Sequence, residues 1–370
     1  MYNTYTSLFL YRIMLKDYSW QVSEEEYRNN KILSYSLIAK YEREGFKIIP
    51  TLFDKVETNS LSLGSAFDIL YTESNEFNTK VTHLNTDIDL STKAAQIVID
   101  LANKCTCETL PEVISLYKDV MDGELLSSYY PNIKSNEKKW NMIVSNEELC
   151  SLYTQQFYNQ NKKSILLNNS QWSTLMEMSK CVSNHPKISK ILDNEEKENL
   201  EKYYQLKFKT SINGREYRCM FDRIIVNNEK KIIALFDIKT TYEKAYNFQY
   251  SFIKWRYDIQ DRLYYLILKE VLKDTEYKDY EIKDMTNIVV STTDLNPKSN
   301  PLLFTFPYCN KRGNIELSYT ILRDPITIGE ELYTILDNSM EIPPYINKDE
   351  ENDIINLLNR KQNEHNKEDI

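Results

Sequence analysis

Asp222, Asp237 and Lys239, followed by the spacing Gln260-x-x-x-Tyr264, are the residues of this chain best suited to chemistry. Two carboxylates and a lysine are what metal-assisted hydrolysis of a phosphodiester needs. Carboxylates are hard oxygen ligands that suit Mg2+, an ion that keeps several waters and accepts phosphate oxygens directly. A bound metal lowers the pKa of an attacking water and neutralises charge on the phosphate. An ammonium beside it positions that water or stabilises the charge that develops in the transition state. An isolated Asp-x-Lys is more often a solvated strand face, so the surroundings decide.

Those surroundings read as a β-hairpin. Tyr217–Val226 and Lys231–Lys239 have strand character, with the polar link Asn227–Lys230 as the turn. Side chains alternate along a strand, so Asp237 and Lys239 share one face and Ile238 points to the other. Pairing Val226 with Lys231 places Asp222 opposite Leu235, diagonal to Asp237 at roughly 7–8 Å. The apolar run Ile232–Leu235 reads as a strand covered on both faces, and charges at the end of such a strand need partners or a function. The next segment, Lys254–Val271, has helical periodicity, with Trp255, Ile259, Leu263 and Leu266 as its apolar stripe. Tyr257, Gln260 and Tyr264 form a second line on that helix. Packing accounts for a tyrosine there more readily than for Gln260.

These residues resemble the PD-(D/E)xK nuclease superfamily, and within it the RecB/RecE-like exonucleases of phage type (exodeoxyribonuclease VIII-like). Asp222, Asp237, Lys239, Gln260 and Tyr264 match the family's catalytic positions one by one, and Thr240-Thr241 continues its D-x-K-T-T run. Ser34-Tyr-Ser-Leu37 with Leu63-Gly-Ser-Ala-Phe-Asp68 is similar to the family's upstream motifs. Gln171-Trp172, Met178 and Val182-Ser-Asn-His185-Pro186 are similar to a helix that precedes its catalytic strands. The likeness spans most of residues 32–270, with only the catalytic block specific. It implies a restriction-endonuclease-like α/β fold, a mixed β-sheet flanked by helices with a mainly helical insertion. It also implies Mg2+, with Mn2+ as a substitute, held by Asp222, Asp237 and Ile238. Asp68 stands where the family often has a metal-binding histidine; it is a candidate ligand or an ordinary exposed helix residue.

The function implied is exonucleolytic hydrolysis of linear double-stranded DNA from its ends, in phage or prophage recombination. A homo-oligomeric ring around the duplex and a single-strand-annealing partner protein are implied with it. A structure- or site-specific endonuclease, and a non-catalytic DNA-binding adaptor that kept the fold, remain as alternatives. Some relatives hold an iron–sulfur cluster on four cysteines, three of them after the catalytic helix. Only Cys309 lies there, so no iron–sulfur cluster is expected.

A net charge of −9 over 370 residues would ordinarily argue against a nucleic-acid partner. It decides little when carboxylates are gathered at a metal site, because phosphate contacts need only a local basic patch. Lys254, Arg256 and Arg262, with Tyr257 among them, are the candidates for that patch. Six dispersed cysteines and no secretory signal are read as reduced thiols in a cytoplasmic protein. No apolar run is long enough to span a membrane. No phosphate loop is present, so the chain has no P-loop ATPase with which to unwind DNA. The expected organisation is an N-terminal helical part (1–82) with helices over Ser34–Arg43 and Leu61–Tyr71. A helical insertion (83–200), a catalytic core (201–345) and a polar tail (346–370) follow.

Overall fold

Capping residues punctuate the first half of the chain. The computed structural model describes residues 13–54, 59–117, 132–160, 164–193, 197 and 199–338. The expected polar tail lies outside the described residues, as do the first twelve. Ser23 accepts the amide of Glu26 and opens α1 (Glu24–Asn29); α2 (Tyr35–Glu44) stops at Gly45, whose φ of +68° suits glycine. The helix α3 (Asn59–Thr72), the single turn α4 (Phe77–Lys80) and the strand β1 (Val81–His83) complete this part. Thr92, Ser135 and Asn146 then cap α5 (Lys93–Lys104), α7 (Asn136–Val144) and α8 (Glu147–Phe157), with α6 (Leu110–Tyr117) between the first two. The strand β2 (Ile165–Leu167) returns to pair in parallel with β1, Val81 opposite Ile165. Asn168 and Gln171 form a reciprocal capping box at the start of α9 (Asn169–Asn184), and α10 (Ile188–Leu192) follows.

The insertion is shorter than expected. Helices α5–α8 enclose a core of their own, including Leu101, Leu110, Trp140, Ile143, Leu152 and Tyr153. By contrast, Leu175, Met178 and Val182 of α9 and Ile188 and Leu192 of α10 pack with Phe67 of α3 and with the main sheet. The last two helices before residue 200 therefore belong to the body that carries the sheet.

That sheet follows from its turns. Asn213 and Gly214, both at positive φ, join β3 (Leu200–Ile212) to β4 (Arg215–Asn227) in a tight hairpin. A second turn leads to β5 (Ile232–Thr241). It occupies residues 228–231, one further on than expected: Asn227 still pairs with Ile232, its side chain accepts the Lys230 amide, and Lys231 takes the left-handed conformation. Val226 therefore faces Ile233, and the diagonal placement of Asp222 is corrected. In the actual register Asp222 falls level with Asp237, just beyond the last pair, Arg223 with Phe236.

The chain crosses back through α11 (Phe248–Lys254) and α12 (Tyr257–Leu272). The single helix expected from Lys254 is broken at Arg256, whose φ of +58° turns a corner between the two. The short β6 (Glu281–Ile282) and then β7 (Thr286–Ser291) run parallel to β5, as such a crossover requires, and β8 (Leu302–Thr305) pairs antiparallel with β7. A small hairpin, β9 (Ile315–Leu317) with β10 (Thr320–Leu322), and α13 (Pro325–Asp337) end the described chain. The result is a mixed α/β body with strand order β3-β4-β5-β7-β8. One helical layer contains α2, α12 and α13, and α3, α9 and α10 lie in the other. Among the described residues no helix is long and apolar enough to cross a membrane.

Candidate active site

The sheet forks where the carboxylates meet. Pairing of β4 with β5 ends at Arg223 and Phe236; beyond that point β4 pairs with β3 and bridges to Leu33 at Tyr217, while β5 pairs with β7. At the fork, Gln205 of β3 has φ +51° and drops out of the ladder opposite Asp222. The core-facing positions of β4 change parity across it: Tyr217, Cys219 and Phe221 before Asp222, Ile224 and Val226 after it. The backbone amide of Ile238, which a continuing β4 would have covered, donates instead to Asp222 Oδ2 at 2.8 Å. A carboxylate thus takes the place of a ladder hydrogen bond, and the two strands part around it.

Asp237 lies at the centre and is only 2% exposed. Its Oδ1 accepts from Gln260 Nε2 at 2.5 Å, and the Lys239 ammonium forms an ion pair with its Oδ2. Lys239 also sits 4.6 Å above the Tyr257 ring. Burial works against the Lys239 charge, but the Asp237 carboxylate and its neighbours more than offset this and hold the ammonium above the ordinary lysine value. Asp222 is pushed well above the usual carboxylate range by burial, then by the like charges of Asp237 and Asp68.

Asp68 arrives from the opposite side on α3. Gly64, one turn earlier, lets that helix ride close to β5: a Cβ at Gly64 would stand 2.7 Å from Thr240 Oγ1. Asp68 is half-buried rather than an exposed helix residue. Gln205 Nε2 donates to its Oδ2 at 3.3 Å, while its Oδ1 is enclosed without a partner. Burial, followed by the charge of Asp237, raises its pKa to about 7.

Three carboxylates that repel one another inside a fold, one of them with an enclosed oxygen that lacks a donor, are chemically suited to a hard dication. Asp68, Asp222 and Asp237 are the side chains able to hold Mg2+ or Mn2+ here, and Ile238 can offer only its backbone carbonyl. In the conformation seen, no three His, Cys, Asp or Glu side chains among the described residues converge to ligand spacing, and Lys239 carries the counter-charge on Asp237.

The helix that supplies Gln260 has a polar, fully buried start. Asp258, Gln260, Asp261 and Arg262 are all inaccessible or nearly so. Sequence periodicity did not single out Asp261. Asn287 of β7, the register neighbour of Asp237, donates from Nδ2 to Asp261 Oδ2 at 3.2 Å. Asp261 Oδ1 and Asn287 Oδ1 are both buried without a donor. An unanswered buried polar atom costs about 1–3 kcal/mol. One proton on Asp261 can answer both, by returning a hydrogen bond to the amide oxygen. Burial, then the Asp237 charge, pushes the Asp261 carboxyl well up and favours that neutral form.

The expected basic patch is largely dismantled. Arg262 is fully buried and donates to the carbonyls of Lys311, Arg323 and Gly313 and to Asp324, so it ties loops to the helix and offers nothing to a phosphate. Arg256 forms a forked pair with Asp258 and bonds Glu42 at 2.6 Å. Tyr257 lies beneath Lys239, and only Lys254 of the set is exposed. Tyr264 is a core residue that meets Phe221 edge-on at 5.2 Å, and burial pushes its phenol well up. Its ring also borders a cavity of about 1460 Å3 between α1, α2, β4 and the insertion, with Arg28, Lys31 and Lys40 on its walls. The sequence held no pattern linking these three cations, which the fold brings to one cleft. All six cysteines are free thiols.

Set beside known proteins, the chain matches no family model and no curated protein.

Proposed function

We propose that the chain is a Mg2+-dependent deoxyribonuclease with a restriction-endonuclease-like core, one that degrades linear duplex DNA from its ends. The observation that carries this reading is the fork itself, where Asp222, Asp237 and Lys239 meet, with Gln260 holding the central carboxylate. When bound, a divalent ion would supply a water of lowered pKa and neutralise charge on the scissile phosphate. Asp222 and Asp237, with Asp68 from the far side, would hold it. Gln260 fixes one oxygen of Asp237 and so sets where the other points. Lys239, kept charged by Asp237, is suited to steady the negative charge that grows on the phosphate during hydrolysis. Lys31 and Lys40 on the walls of the adjoining cleft suit a polyanion despite the net negative charge of the chain, while Arg28 there is paired with Glu24 and Asp54 also lines it.

A homo-oligomeric ring that encircles the duplex, and a single-strand-annealing protein that receives the uncut strand, extend the proposal. Digestion of linear, nicked and covalently closed DNA in parallel, with and without Mg2+, tests it. Linear duplex should be consumed only with the metal, leaving single-stranded tails, while closed circles survive. Rapid cutting of closed circles would replace the exonuclease with an endonuclease. Duplex binding without cleavage of any substrate would leave an adaptor. Light-scattering mass tests the ring separately.

A further inference from the structure

The segment that leaves the catalytic strand carries a row of exposed rings. Tyr242, Tyr246 and Tyr250 follow Thr241 at intervals of four, and Trp255 stands at the corner after α11. All four are open to solvent, Tyr242 and Tyr250 at 79% and 69% exposure. On the opposite side of the same segment Ala245, Phe248 and Phe252 are buried in the main core. The row is therefore the outer face of a well-anchored element. Among the described residues none of the three tyrosine rings stacks on another ring.

Cations are interleaved with the rings. Lys244 lies 5.7 Å from the Tyr246 ring, and Trp255 has Lys254 at 5.2 Å and Arg43 at 5.3 Å from its centroid. Tyr35 Oη and Arg43 both donate to the Trp255 carbonyl and fix that corner. Within residues 242–255 Glu243 is the one carboxylate, against Lys244 and Lys254, and Arg43 is added from α2. The row is tied to the site through the core beneath it. Phe248, beneath it, stacks on Tyr257 at 5.7 Å and 17°, and Tyr257 is the ring under Lys239.

We propose that Tyr242, Tyr246, Tyr250 and Trp255, with Lys244, Lys254 and Arg43, form a platform for an unpaired nucleic-acid strand, its bases stacked on the rings and its phosphates on the cations. Exposed aromatics alternating with positive charge suit that ligand specifically: every base has a face to stack, and a duplex keeps its faces hidden. The inference rests on the nuclease reading for its place in catalysis, since the platform begins beside Lys239, but binding alone tests it.

The experiment uses the full chain in chelator, so that nothing is cut, and fluorescence anisotropy with labelled oligomers of about 12 nucleotides. Oligothymidylate and oligoadenylate should bind alike, a duplex of equal length should not depend on the rings, and an abasic oligomer should bind far more weakly. Each of Tyr246→Ala and Tyr250→Ala should weaken single-strand binding by roughly five- to a hundredfold, with Tyr→Phe at either position restoring it. Lys244→Glu with Lys254→Glu should weaken binding and flatten its salt dependence. The platform is refuted if the alanine variants bind single strands like the wild type, or if the abasic oligomer binds as well as the others. A change in solution mass caused by the alanine variants, without a change in oligomer binding, would mark the face as a contact between copies and also overturn it. Ring-dependent binding in a protein that cleaves nothing in Mg2+ would sustain the platform and sink the nuclease reading alone.

Discussion

The insertion and the forked sheet bury polar groups in different measure. Helices α5–α8 close on a mainly apolar interior in which Leu101, Ile143, Leu152 and Tyr153 meet, with Trp140 Nε1 and Gln156 Oε1 as its unanswered polar atoms. Around the fork, Asp237, Asp258, Gln260, Asp261, Arg262 and Asn287 are inside, several with oxygens that no donor answers. Hydrocarbon burial stabilises at roughly 25 cal/mol per Å2, whereas each unanswered polar atom works against folding. The insertion can be explained as a structure that has only to fold. The fork gives up stability at more of its atoms, a cost that the proposed metal site would account for.

Substitutions can break that contrast at either end, and the largest effect is expected at the fork. Asp222→Asn and Asp237→Asn should each lower turnover by roughly a hundredfold or more, since each removes a ligand charge that would hold the divalent ion. Asp222→Asn keeps an oxygen for the Ile238 amide, so its circular dichroism should match the wild type. Normal digestion by such a folded variant would mean the site is elsewhere.

In the insertion the cost should move to folding. Leu152→Ala removes a fully buried side chain and should destabilise that lobe by about 2–5 kcal/mol. Activity per folded molecule should stay within a small factor. A variant as stable as wild type yet strongly impaired in turnover would show that the insertion takes part in the chemistry.

Asp261 separates the two ways of burying a carboxyl. As a neutral acid paired with Asn287, it should be replaceable by asparagine, which offers the same donor and acceptor to that amide. Asp261→Leu leaves Asn287 unanswered and should cost about 1–3 kcal/mol. If Asp261→Asn proves as damaging as Asp261→Leu, the carboxyl is charged and the pair is misdescribed.

The last test is a pH slope. Asp68 has a folded pKa raised from 3.8 to about 7, so it binds its proton more tightly in the fold than in the unfolded chain. Its contribution to stability is complete below pH 3.8 and is lost as pH rises to about 7. The melting temperature of metal-free protein, compared with Asp68→Asn, should show a difference that changes across that window and is flat above it. Mg2+ should reduce the slope, because a bound cation favours the ionised forms. A pH-independent difference would remove Asp68 from the cluster.

Much of this was legible locally. The alternation that puts Asp237 and Lys239 on one face depends on neighbours in sequence, and it holds; Gln260, 23 residues from Asp237, was placed through the family resemblance. The fork was not legible. It depends on Lys231 and Gln205 adopting left-handed backbone, which no side-chain pattern announces, and it moved Asp222 by two residues relative to β5. Arg262 misled for a related reason: an arginine on a helix looks like a surface charge until loops from residues 311–324 fold over it. Asp261 went unnoticed because the partner that explains it, Asn287, lies 26 residues away on another strand. Long-range contacts, and not local propensity, decide such residues.

The bond from the Ile238 amide to Asp222 gives the protein a gauge of its own interior. That proton is held by a carboxylate and not by a peptide carbonyl, so its resonance and its exchange with solvent should follow the charge that Asp222 carries. Proton uptake, ion capture or the arrival of a phosphate would each alter the field felt by this one backbone group. Following a single amide through a titration would then report the electrical state of the whole cleft, without a substrate or a substitution.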